Sequence, residues 1–189
     1  PPTSSSFSKF RESNRVLGRA EQFHGPKLSP VEAYAKMRAT TDLAIDLLFS
    51  EPLVAQPTHF SFDTRGRLWV TQYRQYPYPA GVNMISRDKY YRSHYDRVPP
   101  APPNHDRGAD IVSIHESTKH DGVYDKHTVF QDGLNMANSA VRANGGVWVM
   151  NPPYLLFYPD ANADDIPDGP PVVHLSGFGL EDTHSVGNG

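Results

Sequence analysis

Nine residues, Asp160-Ala161-Asn162-Ala163-Asp164-Asp165-Ile166-Pro167-Asp168, have the spacing of a loop that could hold a hard cation. Side-chain oxygens of Asp160, Asn162, Asp164 and Asp168 stand at positions 1, 3, 5 and 9. Alternate side chains of a tight loop converge on one point, Ca²⁺ takes six to eight oxygens, and the Ile166 carbonyl at position 7 would extend the set. Position 6, usually Gly in such loops, is Asp165, which tolerates a left-handed backbone better than most residues. There is no Glu at position 12. An acidic surface turn is the alternative, since Asp and Asn are common turn residues.

A second cluster, Glu181-Asp182-Thr183-His184, lies in the Gly-rich stretch that starts at Gly177. A His beside carboxylates can serve as a general base or a metal ligand, which makes His184 the candidate catalytic residue. Alternatively, Glu181 and Asp182 cap a turn and His184 is a hydrogen-bonded structural residue. The other His residues are dispersed and form no H-x-x-x-H pair, which argues against a zinc hydrolase. With no Cys in the sequence, disulfides, Cys-ligated zinc, iron–sulfur clusters and a C-x-x-C-H haem attachment are excluded within these residues.

What positions these residues is a unit written twice. Arg67-Leu68-Trp69-Val70 recurs as Gly146-Val147-Trp148-Val149, and each copy leads through an apolar strand to a polar, acidic turn. The Trp residues are 79 positions apart, whereas Asp121 and Asp164, like Asp125 and Asp168, are 43 apart. The difference of 36 locates an insertion between the second and third strands of the first unit, the Tyr- and Pro-rich stretch 74–103. The first acidic turn has Ser117 and Lys119 where the second has Asp160 and Asn162, and a cation at position 3 would repel a metal ion.

Strands are expected at 43–49, 58–62, 68–73, 110–115 and 127–130, and then at 139–143, 147–150, 154–158 and 171–175. Ser29-Pro30-Val31-Glu32 supplies an N-cap, a Pro at the first helical position and a capping-box Glu, which predicts a short helix through about Arg38. The fold class is therefore all-β: a partial β-propeller of about two four-stranded blades with a short N-terminal helix. Residues 1–41 form an arm and helix, and 42–189 the first blades, incomplete at the C-terminus. Trp69 and Trp148 belong to the blade cores. Tyr73, Tyr76, Tyr78, Tyr90, Tyr91 and Tyr95 exceed what one blade core needs, so they either line a carbohydrate or cofactor groove or pack the long insertion.

Hydrophobic residues at 38% permit a core, and 18 Pro with 14 Gly demand many turns. A formal charge of -3, with Lys and Arg scattered, gives no electrostatic footprint for nucleic acid. No apolar run reaches membrane-spanning length, and Pro1-Pro2-Thr3-Ser4-Ser5-Ser6 is not a signal peptide, so any such leader is absent or already removed.

Leu53-Val54-Ala55-Gln56-Pro57, Gly66-Arg67-Leu68-Trp69-Val70, Gln75-Tyr76-Pro77, Asp121-Gly122-Val123-Tyr124-Asp125, Asp132-Gly133-Leu134-Asn135 and the segment from Gly177 to Val186 together resemble the N-terminal region of the membrane-bound dehydrogenase family of planctomycetes and verrucomicrobia. The resemblance covers roughly residues 29–189. It implies a periplasmic or extracellular propeller similar to glucose/sorbosone dehydrogenases, oxidising sugar or alcohol groups with pyrroloquinoline quinone (PQQ) or a related acceptor. It also implies further blades, and often a haem-binding cytochrome c domain that takes the electrons, beyond these residues. His184 would then accept a proton from a substrate hydroxyl. The alternative is a non-catalytic, calcium-stabilised propeller that binds glycans or protein partners.

Overall fold

A computed structural model describes residues 26–75, 79–87, 89 and 92–180. The chain divides into two compact units, Pro1–Leu47 and Leu48–Gly189. In the first, helix α1 (Pro30–Lys36) begins as its sequence dictates. The Ser29 side chain accepts from the Glu32 amide and the Glu32 carboxylate accepts from the Ser29 amide. The helix ends at Met37, whose backbone is extended.

The second unit is built from antiparallel sheets, which remain open among the described residues. Sheet 1 is ordered β1 (Pro57–Phe62), β2 (Leu68–Gln72), β5 (Asp110–Glu116), β6 (Lys126–Leu134). Sheet 2 follows the chain directly as β7 (Ser139–Ala143), β8 (Gly146–Asn151), β9 (Tyr154–Pro159), β10 (Val172–Ser176). The insertion between β2 and β5 carries the small hairpin β3 (Met84–Arg87) and β4 (Ser93–Tyr95). The mostly β architecture, with one short helix among the described residues, is thus as expected, with four strands in each repeated unit. The β7–β8 connection is the two-residue loop Asn144-Gly145 with both φ positive, the turn whose twist suits a tight hairpin.

Alternation along the strands decides how the sheets meet. Trp69, Val112, Ile114, Phe130 and Leu134 from sheet 1 share one buried core with Ala137, Ala140, Val147, Val149, Leu156 and Tyr158. The first strands, β1 and β7, lie beside each other. Ser61 Oγ donates to the Ala140 carbonyl (3.3 Å), so the contact is hydrogen-bonded as well as apolar.

One expected strand is missing: residues 43–49 join no sheet. Leu43, Leu47 and Leu48 are exposed, so the run buries no alternating face, although Phe49 at its end packs against His115. Beyond it, residues 52–55 cross over sheet 1 instead of pairing with its edge. The Ala55 amide and Leu53 carbonyl bond to the Gln72 side chain, and Arg74 bonds to the Pro52 carbonyl. Backbone groups satisfied by side chains have no need of a ladder.

Candidate functional site

The acidic loop of sheet 2 and the acidic turn of sheet 1 are the same structure. Asp125 and Asp168 each return a backbone amide to the end of the preceding strand, at Glu116 and Pro159. Their carboxylates hold the amides of Thr118 (2.9 Å) and Ala161 (2.8 Å). Asp121 and Asp164 hold the amides two residues ahead, on Val123 and Ile166. Every one of these positions obeys the 43-residue offset. Because the first copy forms with Lys119 at position 3, the oxygen spacing serves a hydrogen-bonded turn.

The remaining donors are engaged too. Asp160 is fully buried and takes Arg142 Nη1 at 2.6 Å together with the Asp164 amide. Asn162 bonds to Asp164. Among the described residues no three His, Cys, Asp or Glu side chains are grouped as a metal ion needs. As arranged here, Asp160, Asn162, Asp164, Ile166 and Asp168 do not fit a Ca²⁺ cage, because a cation would have to displace the guanidinium on Asp160.

Asp165 does take the left-handed backbone that position 6 requires (φ 71°). That conformation aims its carboxylate at sheet 1. It pairs with both Arg67 terminal nitrogens and with Arg65 at 3.0 Å, and it lies 3.9 Å from Arg142. Arg67 also grips Asp63, which accepts the Trp69 indole N–H (3.0 Å). Both Arg67 and Arg142 sit 5.8 Å from the Trp69 ring. Burial pulls the Asp165 carboxyl upward, but the hydrogen bond and charge of Arg67, with the charges of Arg65 and Arg142, outweigh it and hold the group below the usual carboxylate range. This cluster fastens the β1–β2 turn of one sheet to the β9–β10 loop of the other. With arginines holding the loop, millimolar calcium is expected to leave the melting temperature unchanged and to give no binding heat; a rise abolished by Asp160→Ala would reinstate the cation.

A further polar chain lies on the face of sheet 1 turned away from sheet 2. Gln72 Nε2 donates to Ser113 Oγ (2.8 Å), whose hydroxyl donates to the Val70 carbonyl (3.3 Å). Ser113 Oγ therefore accepts from His115 Nε2 at 2.9 Å, which leaves a lone pair on His115 Nδ1. That lone pair meets Nδ1 of His127, 2.9 Å away on the directly opposite residue of β6. The ring centroids are 5.1 Å apart, so the two nitrogens face each other nearly in line, as a shared proton requires and a metal chelate does not. Phe49 covers the pair, its ring 4.4 Å from that of His115. The repeat places Leu156 and Tyr158 where Ser113 and His115 stand, so sheet 1 has polar groups where sheet 2 has core.

Burial, and then the charge of His127, push His115 down to about 4. A folded value below the ordinary 6.5 makes protonation oppose folding, so this contribution is complete above pH 6.5 and is lost as the pH falls toward 4. Asp110 runs the other way. Burial raises it to about 6 against the backbone amides of Ala137, Gln75, Met136 and Arg74, so its contribution grows as the pH falls through 6. The His115 part is isolated by His115→Tyr, the residue the repeat uses. Urea unfolding at pH 7 and pH 4.5 should show wild type losing about 2–3 kcal/mol more than the variant. Equal losses would contradict the buried neutral His.

The insertion is anchored rather than loose. Asn135 bonds to both the amide and the carbonyl of Ala80, Gln75 bonds to Asn135, and the Tyr154 hydroxyl donates to the Pro99 carbonyl (2.8 Å). Tyr73 is buried and Tyr95 partly so, whereas Tyr76, Tyr78, Tyr90 and Tyr91 lie outside the described residues. His184, with Glu181 and Asp182, also lies outside them. An open groove lined by Val98, Pro153, Tyr154, Phe178 and Leu180 borders the segment that leads there.

A family model described as Domain of unknown function (DUF7133) matches residues 29–189. The chain belongs to that family. No curated protein and no solved structure matches the chain. The DUF7133 match spans α1, both large sheets and the insertion, so the repeated unit, the arginine cluster and the histidine pair all fall within it. Among the described residues no helix is long and apolar enough to cross a membrane.

Proposed function

We propose that sheets 1 and 2 are the first two blades of a β-propeller, and that the assembled protein is an exported dehydrogenase-like propeller that oxidises sugar or alcohol groups and hands the electrons to a haem domain. The observation that carries the propeller is the order of the strands. Each sheet is a four-stranded antiparallel meander, the last strand of the first leads to the first strand of the second, and those two first strands are neighbours. Blades arranged radially about a centre have this path. The oxidative chemistry is supported by the motif resemblance, from Gly66-Arg67-Leu68-Trp69-Val70 through the Asp182-Thr183-His184 segment.

Oxidising an alcohol requires a group that takes the hydroxyl proton, the role this proposal gives to His184. A quinone such as PQQ would supply the two-electron acceptor; no set of described side chains converges to hold one. The test is dye-linked oxidation of an aldose by the protein with its downstream sequence, wild type against His184→Gln. Loss of about 10²–10⁴-fold in turnover is expected for a general base, and unchanged turnover by a folded variant would remove that role. The 189-residue chain alone should reduce no dye, because a central site is assembled from every blade.

The alternative, a non-catalytic propeller that binds glycans or proteins, is favoured by the open groove holding Tyr154 and Phe178. A glycan that protects Tyr154 from modification, with no dye reduction in any form of the protein, would select it.

A further inference from the structure

We propose that the His115–His127 pair is an acid-released latch for residues 48–55, the strap that crosses the face of sheet 1 turned away from sheet 2. The strap is held at two points. At the first, the Phe49 ring lies 4.4 Å from that of His115 and 6.0 Å from that of His127, with the Tyr124 ring 5.4 Å from it. At the second, the Gln72 side chain accepts from the Ala55 amide (2.9 Å) and donates to the Leu53 carbonyl, while Arg74 donates to the Pro52 carbonyl (2.7 Å). Both points lead to one imidazole, because Gln72 also donates to Ser113, whose hydroxyl accepts from His115. The latch does not depend on the propeller reading.

Release follows from where protons can go. One proton sits between the two Nδ1 atoms, donated by His127 and accepted by the lone pair of His115 across 2.9 Å. His127 is exposed and its Nε2 bonds to no described residue, so a first added proton goes there. The Nδ1–H···Nδ1 bond survives that step and becomes charge-assisted. A second proton has one place left, His115 Nδ1. Two N–H groups then face each other, each on a cation, with an apolar ring stacked over them. Moving the strap away admits water to both charges. Burial and the His127 charge oppose this second proton while the strap is down, which is why His115 stands at about 4.

The neighbouring charges are committed elsewhere. Glu116 and Lys126, next along β5 and β6, pair with each other at 3.0 Å. In register with His115 across β2 and β1 stand Leu68 and Phe62, which carry no charge. Asp125, beside Tyr124, holds the amide and hydroxyl of Thr118. Arg74 adds a cation near Gln72, and Glu51 on the strap is exposed. Among the described residues no carboxylate bonds to either imidazole, so nothing offsets the second charge.

The test is hydrogen exchange at the amides of residues 53–55, corrected for intrinsic rates, at pH 7 and pH 4.5. A docked value of about 4 against the ordinary 6.5 makes strap protection fall about 50-fold over that interval. At both pH values the strap should exchange at least about tenfold faster than β8, as a local opening does. His115→Gln keeps a donor for Ser113 and takes no proton, so it should hold the fall below about threefold. Because coupling is reciprocal, freeing the strap with Phe49→Ala should make His115 bind its proton at least about tenfold more tightly, read from the imidazole Cε1–H resonance. Four results would each overturn the latch: equal strap protection at the two pH values, strap and β8 exchanging at one rate, a fall that persists in His115→Gln, or a His115 titration that Phe49→Ala leaves unmoved. The wild-type exchange and the Phe49→Ala titration decide the matter even where His115→Gln does not fold.

Discussion

Replacing Arg67 with Met is expected to destabilise the protein by about 3–5 kcal/mol, the range for removing one partner from a buried ion pair. Arg67 is 2% exposed and faces two carboxylates, Asp63 and Asp165, which would lose its guanidinium and keep the Arg65 and Arg142 charges, the Trp69 indole and the backbone amides of residues 65 and 67. Arg67→Lys should recover less than half, because one ammonium cannot grip Asp63 through Nε while holding both oxygens of Asp165. Urea unfolding monitored by far-ultraviolet circular dichroism reads the change. A loss below about 1 kcal/mol would place the cluster with ordinary surface pairs.

The two tryptophans should answer differently to the same substitution. Trp69→Ala removes a buried indole from the core between the sheets and should cost about 3–5 kcal/mol. Trp148→Ala empties the repeat-equivalent position on a half-buried face and should cost about 1–2 kcal/mol in this chain. Equal losses would mean that Trp148 is covered as fully as Trp69 and that the asymmetry between the two faces is not real.

Much of this was legible in the sequence because it is local. The paired Trp strands, the turn offset of 43 and the place of the insertion all follow from spacing, and the capping box of α1 is written in four consecutive residues. The acidic loop shows where local spacing leaves two readings open. Asp at positions 1, 5 and 9 satisfies a metal loop and an amide-holding turn equally well, and only Arg142, which lies on β7 and pairs with Asp160, separates the two. Residues 43–49 had strand composition, but a strand also needs an edge to pair with, and composition does not state one.

The histidine pair carried a signal that went unused. With the turn 117–125 placed, counting register back from its ends sets His115 opposite His127, and comparing the repeats shows polar Ser113 and His115 where Leu156 and Tyr158 stand. The arginine cluster carried less. Arg67 and Asp165 are 98 residues apart, and nothing in either neighbourhood announces the other.

The central claim is that the two sheets are copies of one unit stacked through the face that carries Trp69, and an aromatic contact that crosses between them is the ring of Phe130 in β6 against Tyr158 in β9, 6.3 Å between centroids. Nuclear Overhauser spectroscopy on protein labelled selectively at Phe, Tyr and Trp tests it directly. The account predicts a Phe130–Tyr158 cross-peak beside the within-sheet Trp69–Phe130 peak. A spectrum with the within-sheet peak and no Phe130–Tyr158 peak would show two sheets that fold without stacking, and would contradict it.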